Sequence, residues 1–273
     1  MGIFDGSLIC TDLDGTLYRN DKTISDRNKR AIEYYTNEGG YFTFVTGRLP
    51  YYAKDAYLAV RPNVPFGCIN GGGVYDGAEG RYIWAESLSP DVMELVGYID
   101  KRFPRVGIQV ACHGRTYFAK ENGVTERFRR LTGVPNLVRH YLDVDEPIGK
   151  ILFCTDDEGE MMALAAALGE HPSAKNFDFI RSERALYEIL PKGINKGVAF
   201  VKIAAHLGID IEKTVAIGDY DNDVGMFRAA GLGIAVRNAS PSALAAADLV
   251  TVSNEEDAIA EVIYAIRDGK IKL

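Results

Sequence analysis

Short apolar runs alternate with amphipathic stretches at both ends of this chain, and that rhythm restricts the fold more than any other feature of the sequence. Residues 8–11 are apolar, a helical stripe runs from about 25 to 38, and residues 41–45 are apolar again. This is a β-α-β pattern. Ser25 supplies a helix N-cap, and Gly39 with Gly40 supplies a stop. A second helix is expected from about Pro50 and a further strand over 66–69. A glycine-rich break at 70–73 and a hairpin through 76–82 follow. Such alternation implies a parallel sheet covered by helices.

Past residue 89 the rhythm changes. A helix with Pro90 in its first turn is followed by two consecutive strands over about 106–121, then helix, strand, helix and two strands ending near Leu190. Consecutive strands point to an α+β domain. After Pro191 the alternation returns, with a helix from Asn195 whose buried stripe reads as Val198, Val201 and Ala205. A strand over 214–217, a helix near 222–230, a strand over 232–236 and a final helix after Asn254 complete the chain. The expected class is α/β. A Rossmann-like parallel sheet core (1–85 and 188–273) carries an inserted α+β cap domain (86–187).

With 47% apolar residues among 273, the chain has material for one large core or two ordinary ones. The net charge of -7 comes without any basic run, which speaks against a nucleic acid partner. The longest apolar stretch, about 161–168, is far shorter than the roughly 20 residues of a membrane span. The first seven residues show no export signal, and Cys10, Cys68, Cys112 and Cys154 are scattered through apolar runs. Together these suggest reduced, buried thiols and a cytoplasmic protein. The four histidines, His113, His140, His171 and His206, make no metal-ligand spacing.

The apolar runs end in chemistry. In LICTDLDGTL two carboxylates, Asp12 and Asp14, leave a strand at a tight Gly15-Thr16 turn. Ligands of open α/β sheets bind at such carboxyl ends. Two adjacent carboxylates repel unless they share a proton or a hard cation such as magnesium. The spacing suits Asp12 as nucleophile and Asp14 as general acid and base. A solvated Asp-Gly turn is the other reading. In YFTFVTGR, Thr46 and Gly47 end the next strand with a hydroxyl and backbone N–H groups suited to phosphate, or to ordinary helix capping; Arg48 adds a charge. Lys196 opens a helix against the macrodipole, which suggests a nearby anion or a solvated lysine. Asp219, Asp221 and Asp223 follow another apolar strand in VAIGDYDNDVGMF, a density of negative charge that calls for a cation. Asp219 is placed to ligate it, with Asn222 and Asp223 behind to fix geometry. An acidic helix start explains Asp223 as well, but not Asp219.

These four segments, in this order, resemble the haloacid dehalogenase superfamily, and the layout is similar to its Cof-type phosphatases with a type IIB cap. DLDGT matches the first motif, Thr46 the second, Lys196 in GINKG the third and GDYDND the fourth. Asn70-Gly71 at the end of the third strand also fits. The resemblance implies attack on phosphorus by Asp12 to give an aspartyl-phosphate, with Asp14 protonating the leaving oxygen and later activating water. It implies Mg2+ held by Asp12, the backbone carbonyl of Asp14, and Asp219, with Thr46 and Lys196 gripping the phosphoryl group. The expected activity is a phosphohydrolase for small phosphorylated metabolites, chiefly sugar phosphates. A phosphotransferase or phosphomutase using the same intermediate is a second expectation, and a catalytically idle binding protein a third. His113, Lys120 and Arg181 are polar candidates in the cap, without an assigned role, and the oligomeric state is left open.

Overall fold

The computed structural model describes residues 2–272, in two compact units: 2–84 with 195–272, and 85–194. The chain enters the first unit with β1 (Leu8–Thr11), α1 (Asp26–Asn37), β2 (Tyr41–Phe44), α2 (Lys54–Val60), β3 (Phe66–Cys68), β4 (Gly73–Asp76) and β5 (Arg81–Ala85). It builds the second unit from α3 (Val92–Arg102), β6 (Gly107–Cys112), β7 (Thr116–Lys120), α4 (Gly123–Thr132), β8 (Ile148–Cys154), α5 (Glu158–Glu170), β9 (Phe177–Glu183) and β10 (Leu186–Pro191). It returns with α6 (Lys196–Leu207), β11 (Thr214–Gly218), α7 (Val224–Ala229), β12 (Leu232–Ala235), α8 (Pro241–Ala246), β13 (Leu249–Val250) and α9 (Ala258–Arg267).

The first unit is built on a parallel five-stranded sheet in the order β13-β12-β11-β1-β2. Side chains alternate between faces along a strand, so Leu8 and Cys10 meet Ala199, Phe200, Ile203 and Phe227 of α6 and α7 in one apolar cluster. Helices α1 and α9 pack on each other. The helix starts are set by side-chain caps: Ser25 accepts from the Asn28 N–H, and Asn195 from the Gly197 N–H. The buried face of α6 is Ala199, Phe200, Ile203 and Ala204, not the expected stripe; Val201 is exposed. Both rows are apolar, and only the facing sheet decides between them. β3 does not extend the parallel sheet as expected. It touches β2 through one parallel bridge, Val45 to Gly67, and otherwise forms an antiparallel three-stranded sheet with β4 and β5. The helix expected from Pro50 is a single 3-10 turn, Pro50–Tyr52, before α2.

The second unit is an antiparallel sheet in the order β7-β6-β8-β10-β9. Its apolar face carries Ile108, Val110, Ile151, Phe153 and Ile189, packed in one cluster with Val92, Leu95 and Ile99 of α3 and Leu164 and Leu168 of α5. Lys150 and Glu188 form a buried ion pair, Nζ standing 2.9 Å from each carboxylate oxygen. The expected cap contacts are partnered within this unit: Lys120 with Asp100, Arg181 with Glu158, His113 with Ser87. All four cysteines are buried, and none is in a disulfide. Among the described residues no helix is long and apolar enough to cross a membrane.

Candidate active site

β1 has β2 on one side and β11 on the other, so sequential strands diverge from it and leave a crevice at their carboxyl ends. The registers align three strand tips: Thr11 pairs with Ile217 and Phe44, the Asp12 N–H donates to the Ile217 carbonyl, and the Val45 N–H donates to the Thr11 carbonyl. Asp12, Thr46 and Asp219 therefore leave their strands side by side. The fourth component arrives on α6, whose first residue is Lys196.

Lys196 is 1% exposed, with Nζ 2.5 Å from Asp12 Oδ1 and 2.6 Å from Asp223 Oδ1. Asp223 also accepts from the backbone N–H groups of Asp219 and Tyr220, which folds the segment after β11 back over the strand tip. Asp219 accepts from the Thr16 hydroxyl at 2.8 Å. Gly15 follows the first carboxylates at a φ of 84°, and a Cβ there would stand 2.4 Å from Asp219 Oδ2. Only glycine lets the two acidic loops approach this closely.

Asp12, Asp219 and Asp223 each offer one oxygen, and the three lie within 4.8 Å of one another. Against them stands the single ammonium of Lys196. Burial pushes the Asp12 carboxyl well above its ordinary range, Lys196 opposes this, and the charges of Asp223, Asp219 and Asp14 add to it. Burial and the Asp223 charge push Asp219 up to about 7. An all-oxygen set with surplus negative charge fits a hard divalent cation and suits zinc poorly.

Asp219 thus has a folded-state pKa above its ordinary 3.8. Its contribution to stability is complete below about pH 4 and lost as pH rises through about 7. Asp12 moves in the same direction. Magnesium is therefore expected to raise the melting temperature more at pH 8 than at pH 5, measured by thermal scans with and without the ion. An equal increment at both pH values would contradict this electrostatic picture.

Asp14 lies outside the acidic trio. Arg48 donates to both of its oxygens, from Nε at 2.8 Å and Nη2 at 2.7 Å, and Lys22 adds a contact at 2.8 Å. Burial raises the Asp14 pKa, but these hydrogen bonds and charges outweigh it and hold the carboxyl below its usual value. The Arg48 guanidinium is itself steadied by the Tyr52 carbonyl and the Tyr18 ring. Sequence reasoning offered Arg48 to a phosphate; in the structure it grips Asp14. Thr46 is buried, and its hydroxyl accepts from the Arg48 N–H at 3.2 Å. Gly47 lies against Asn70, whose Oδ1 accepts from Asn222 Nδ2. Asp221, third of the acidic cluster, points elsewhere and accepts from Ser240 and Ser242 at the start of α8.

Sequence reasoning set Asp223 behind the cation ligands; one of its oxygens stands within 4.8 Å of those of Asp12 and Asp219, while Lys196 and the Asp219 and Tyr220 N–H groups donate to the carboxylate. Thr16 was passed over, although its place in DLDGT was a signal. Nothing in the sequence marks the contact of Asn70 with Asn222.

The description haloacid dehalogenase-like hydrolase belongs to a family model that matches residues 9–263. The 5-amino-6-(5-phospho-D-ribitylamino)uracil phosphatase YitU of Bacillus subtilis is 28% identical over 262 residues, spanning 94% of this chain and 96% of that protein. A crystal structure of a haloacid dehalogenase-like hydrolase from Bacteroides thetaiotaomicron superposes with a TM-score of 0.82 at 26% identity, covering 95% of this chain and 99% of that one. The structure of a subclass IIB sugar phosphatase gives 0.83 at 21% identity over 97% and 100% of the two chains, a likeness of fold.

Proposed function

This chain belongs to the haloacid dehalogenase-like hydrolase family, and from that premise we propose that it is a magnesium-dependent phosphohydrolase acting on small phosphorylated metabolites, sugar phosphates foremost. The observation that carries the reading is the meeting of Asp12, Asp219 and Asp223 around the buried Lys196. Relatives named as phosphatases, among them YitU, support it. Buried cysteines outside any disulfide are compatible with a cytoplasmic setting. The unit comprising 85–194 is read as the cap that selects the leaving group.

In the proposed reaction an Asp12 carboxylate oxygen attacks phosphorus in line, and the bond from phosphorus to the ester oxygen breaks. Asp14 gives its proton to the departing oxygen. Water then loses a proton to Asp14 and attacks the same phosphorus, the Asp12 oxygen leaves with its electron pair, and inorganic phosphate is released. Lys196, with Thr46 and the Gly47 N–H, grips the phosphoryl oxygens and offsets their charge. Magnesium, held by Asp12, Asp219 and the Asp14 carbonyl with Asp223 and Asn222 in support, would supply positive charge against the transferring group. Asp14 must exchange a contact with Arg48 or Lys22 before it handles a proton, so Arg48 is placed to govern when it does.

Phosphate release from an aryl phosphate and a sugar-phosphate panel is expected to stop on chelation and return with added magnesium. Turnover that persists undiminished in chelator would remove the proposal.

A further inference from the structure

Directly after β3 the backbone holds three successive residues with positive φ: Ile69 at 56°, Asn70 at 52° and Gly71 at 96°. A β-branched residue there is a steric outlier, and such a run persists only where its surroundings enforce it. The enforcing contacts lead to the candidate site from three directions. The Ile69 N–H donates to the Arg48 carbonyl and the Asn70 N–H to the Thr46 carbonyl, both at 3.0 Å. A Cβ on Gly71 would stand 1.9 Å from the carbonyl oxygen of Asn195, the cap of α6, so the loop lies against the turn that delivers Lys196. On the third side, Asn222 Nδ2 donates to Asn70 Oδ1 at 3.1 Å. Asn70 is fully buried, and a Cβ on Gly47 would meet its Oδ1 at 2.9 Å.

The side-chain oxygen of Asn222 is buried, and among the described residues no donor reaches it. An unpaired buried acceptor is costly, so its persistence beside the acidic trio marks a group kept for a ligand's hydroxyl or water. Its aim depends on the hydrogen bond to Asn70. We infer that Asn70 is a positioning residue: its carboxamide sets Asn222, and its backbone sets the Thr46-Gly47 turn, so that the phosphate-gripping turn and the acidic loop keep one spacing. This inference rests on the phosphohydrolase reading. Asparagine suits the place because it tolerates left-handed backbone better than other polar residues of its size.

Asn70→Gly tests it, because glycine accepts this φ and discards only the carboxamide. Kinetics, inhibition by orthovanadate as a transition-state mimic, and thermal melting are measured on wild type, Asn70→Gly, Asn222→Ala and the double variant. The single change at Asn70 is expected to lower kcat by about ten- to a hundred-fold through misplacement, with KM nearly unchanged. Orthovanadate affinity should fall with kcat. In the double variant the losses should not multiply, leaving kcat within about two-fold of Asn70→Gly. Wild-type kcat in Asn70→Gly, or losses that multiply, would overturn the inference. Should Asn70→Gly fail to fold, Asn222→Ala cuts the same hydrogen bond, and full kcat there overturns it equally. Wild-type protein that neither turns over phosphate esters nor binds orthovanadate sinks the phosphohydrolase reading and this inference with it; an active wild type with an indifferent Asn70→Gly sinks this inference alone.

Discussion

Asp12→Asn is expected to fold normally and to lose about four to six orders of magnitude in kcat, the scale on which removing a nucleophile or its partners acts. The replacement keeps the size and an acceptor for Lys196 Nζ, which lies 2.5 Å away. It removes the anionic oxygen that would attack phosphorus. It also deletes one of three crowded carboxylates, two of them buried. The cation-free variant should therefore melt no lower than wild type, and its melting temperature should respond less to magnesium. Phosphate release with saturating magnesium, read beside thermal scans, separates the outcomes. Turnover near wild type would show that Asp12 is not the nucleophile, and a collapsed melting temperature would show that it is chiefly structural.

Lys196→Met should damage both stability and turnover. The ammonium is 1% exposed between Asp12 and Asp223, and both carboxylates lose their buried counter-charge without it. Breaking a buried pair from one side typically costs about 3–5 kcal/mol. At roughly 2–4 °C per kcal/mol for a chain of this size, the melting temperature should fall by about 6–20 °C. The sign with pH follows from the partners. Burial alone would pull the Lys196 pKa down, but Asp12 and Asp223 outweigh it and raise it, so Lys196 is charged throughout the working range and its contribution in wild type is lost only at strongly alkaline pH. In the variant the stranded Asp12 carboxyl, which burial already pushes up, is tolerated while protonated and penalised once ionised. The deficit should therefore widen between pH 5 and pH 8. Melting curves at the two pH values check this; a deficit independent of pH would mean that lost packing, not stranded charge, dominates.

Much of the fold was legible because β1, β2 and β11 are apolar runs that stop at carboxylates, a glycine or a threonine. Three of the four motifs were thus already tied to a strand tip, and the fourth, Lys196, to a helix start. α8 and β13 escaped notice because they are too short for periodicity to register: α8 is six residues long, and β13 is two residues, Leu249 and Val250, both exposed. The buried stripe on α6 was misplaced because Val198, Val201 and Ala205 are as apolar as the row the sheet covers. The acidic character of the site could be read from composition and spacing. The division of labour within it could not, because it depends on contacts made across the fold. Arg48 grips Asp14 from 34 residues away, and Lys196 reaches Asp223 as well as Asp12. Asn70 sits in a glycine-rich break that reads as a simple turn until its neighbour Asn222, 152 residues further on, is in view.

β1 bonds to β2, made soon after it, and to β11, made after residue 213. During synthesis the first 84 residues thus hold a strand whose second edge has no mate until a further hundred-odd residues have emerged. The segment from 85 to 194 is continuous and complete when its last residue leaves the ribosome. Birth order therefore runs opposite to reading order: the interior segment is whole before the second flank, which carries Lys196, has been made, and no nascent chain stopped short of residue 223 holds all three carboxylates of the trio, so chemistry waits for the stretch that follows residue 194.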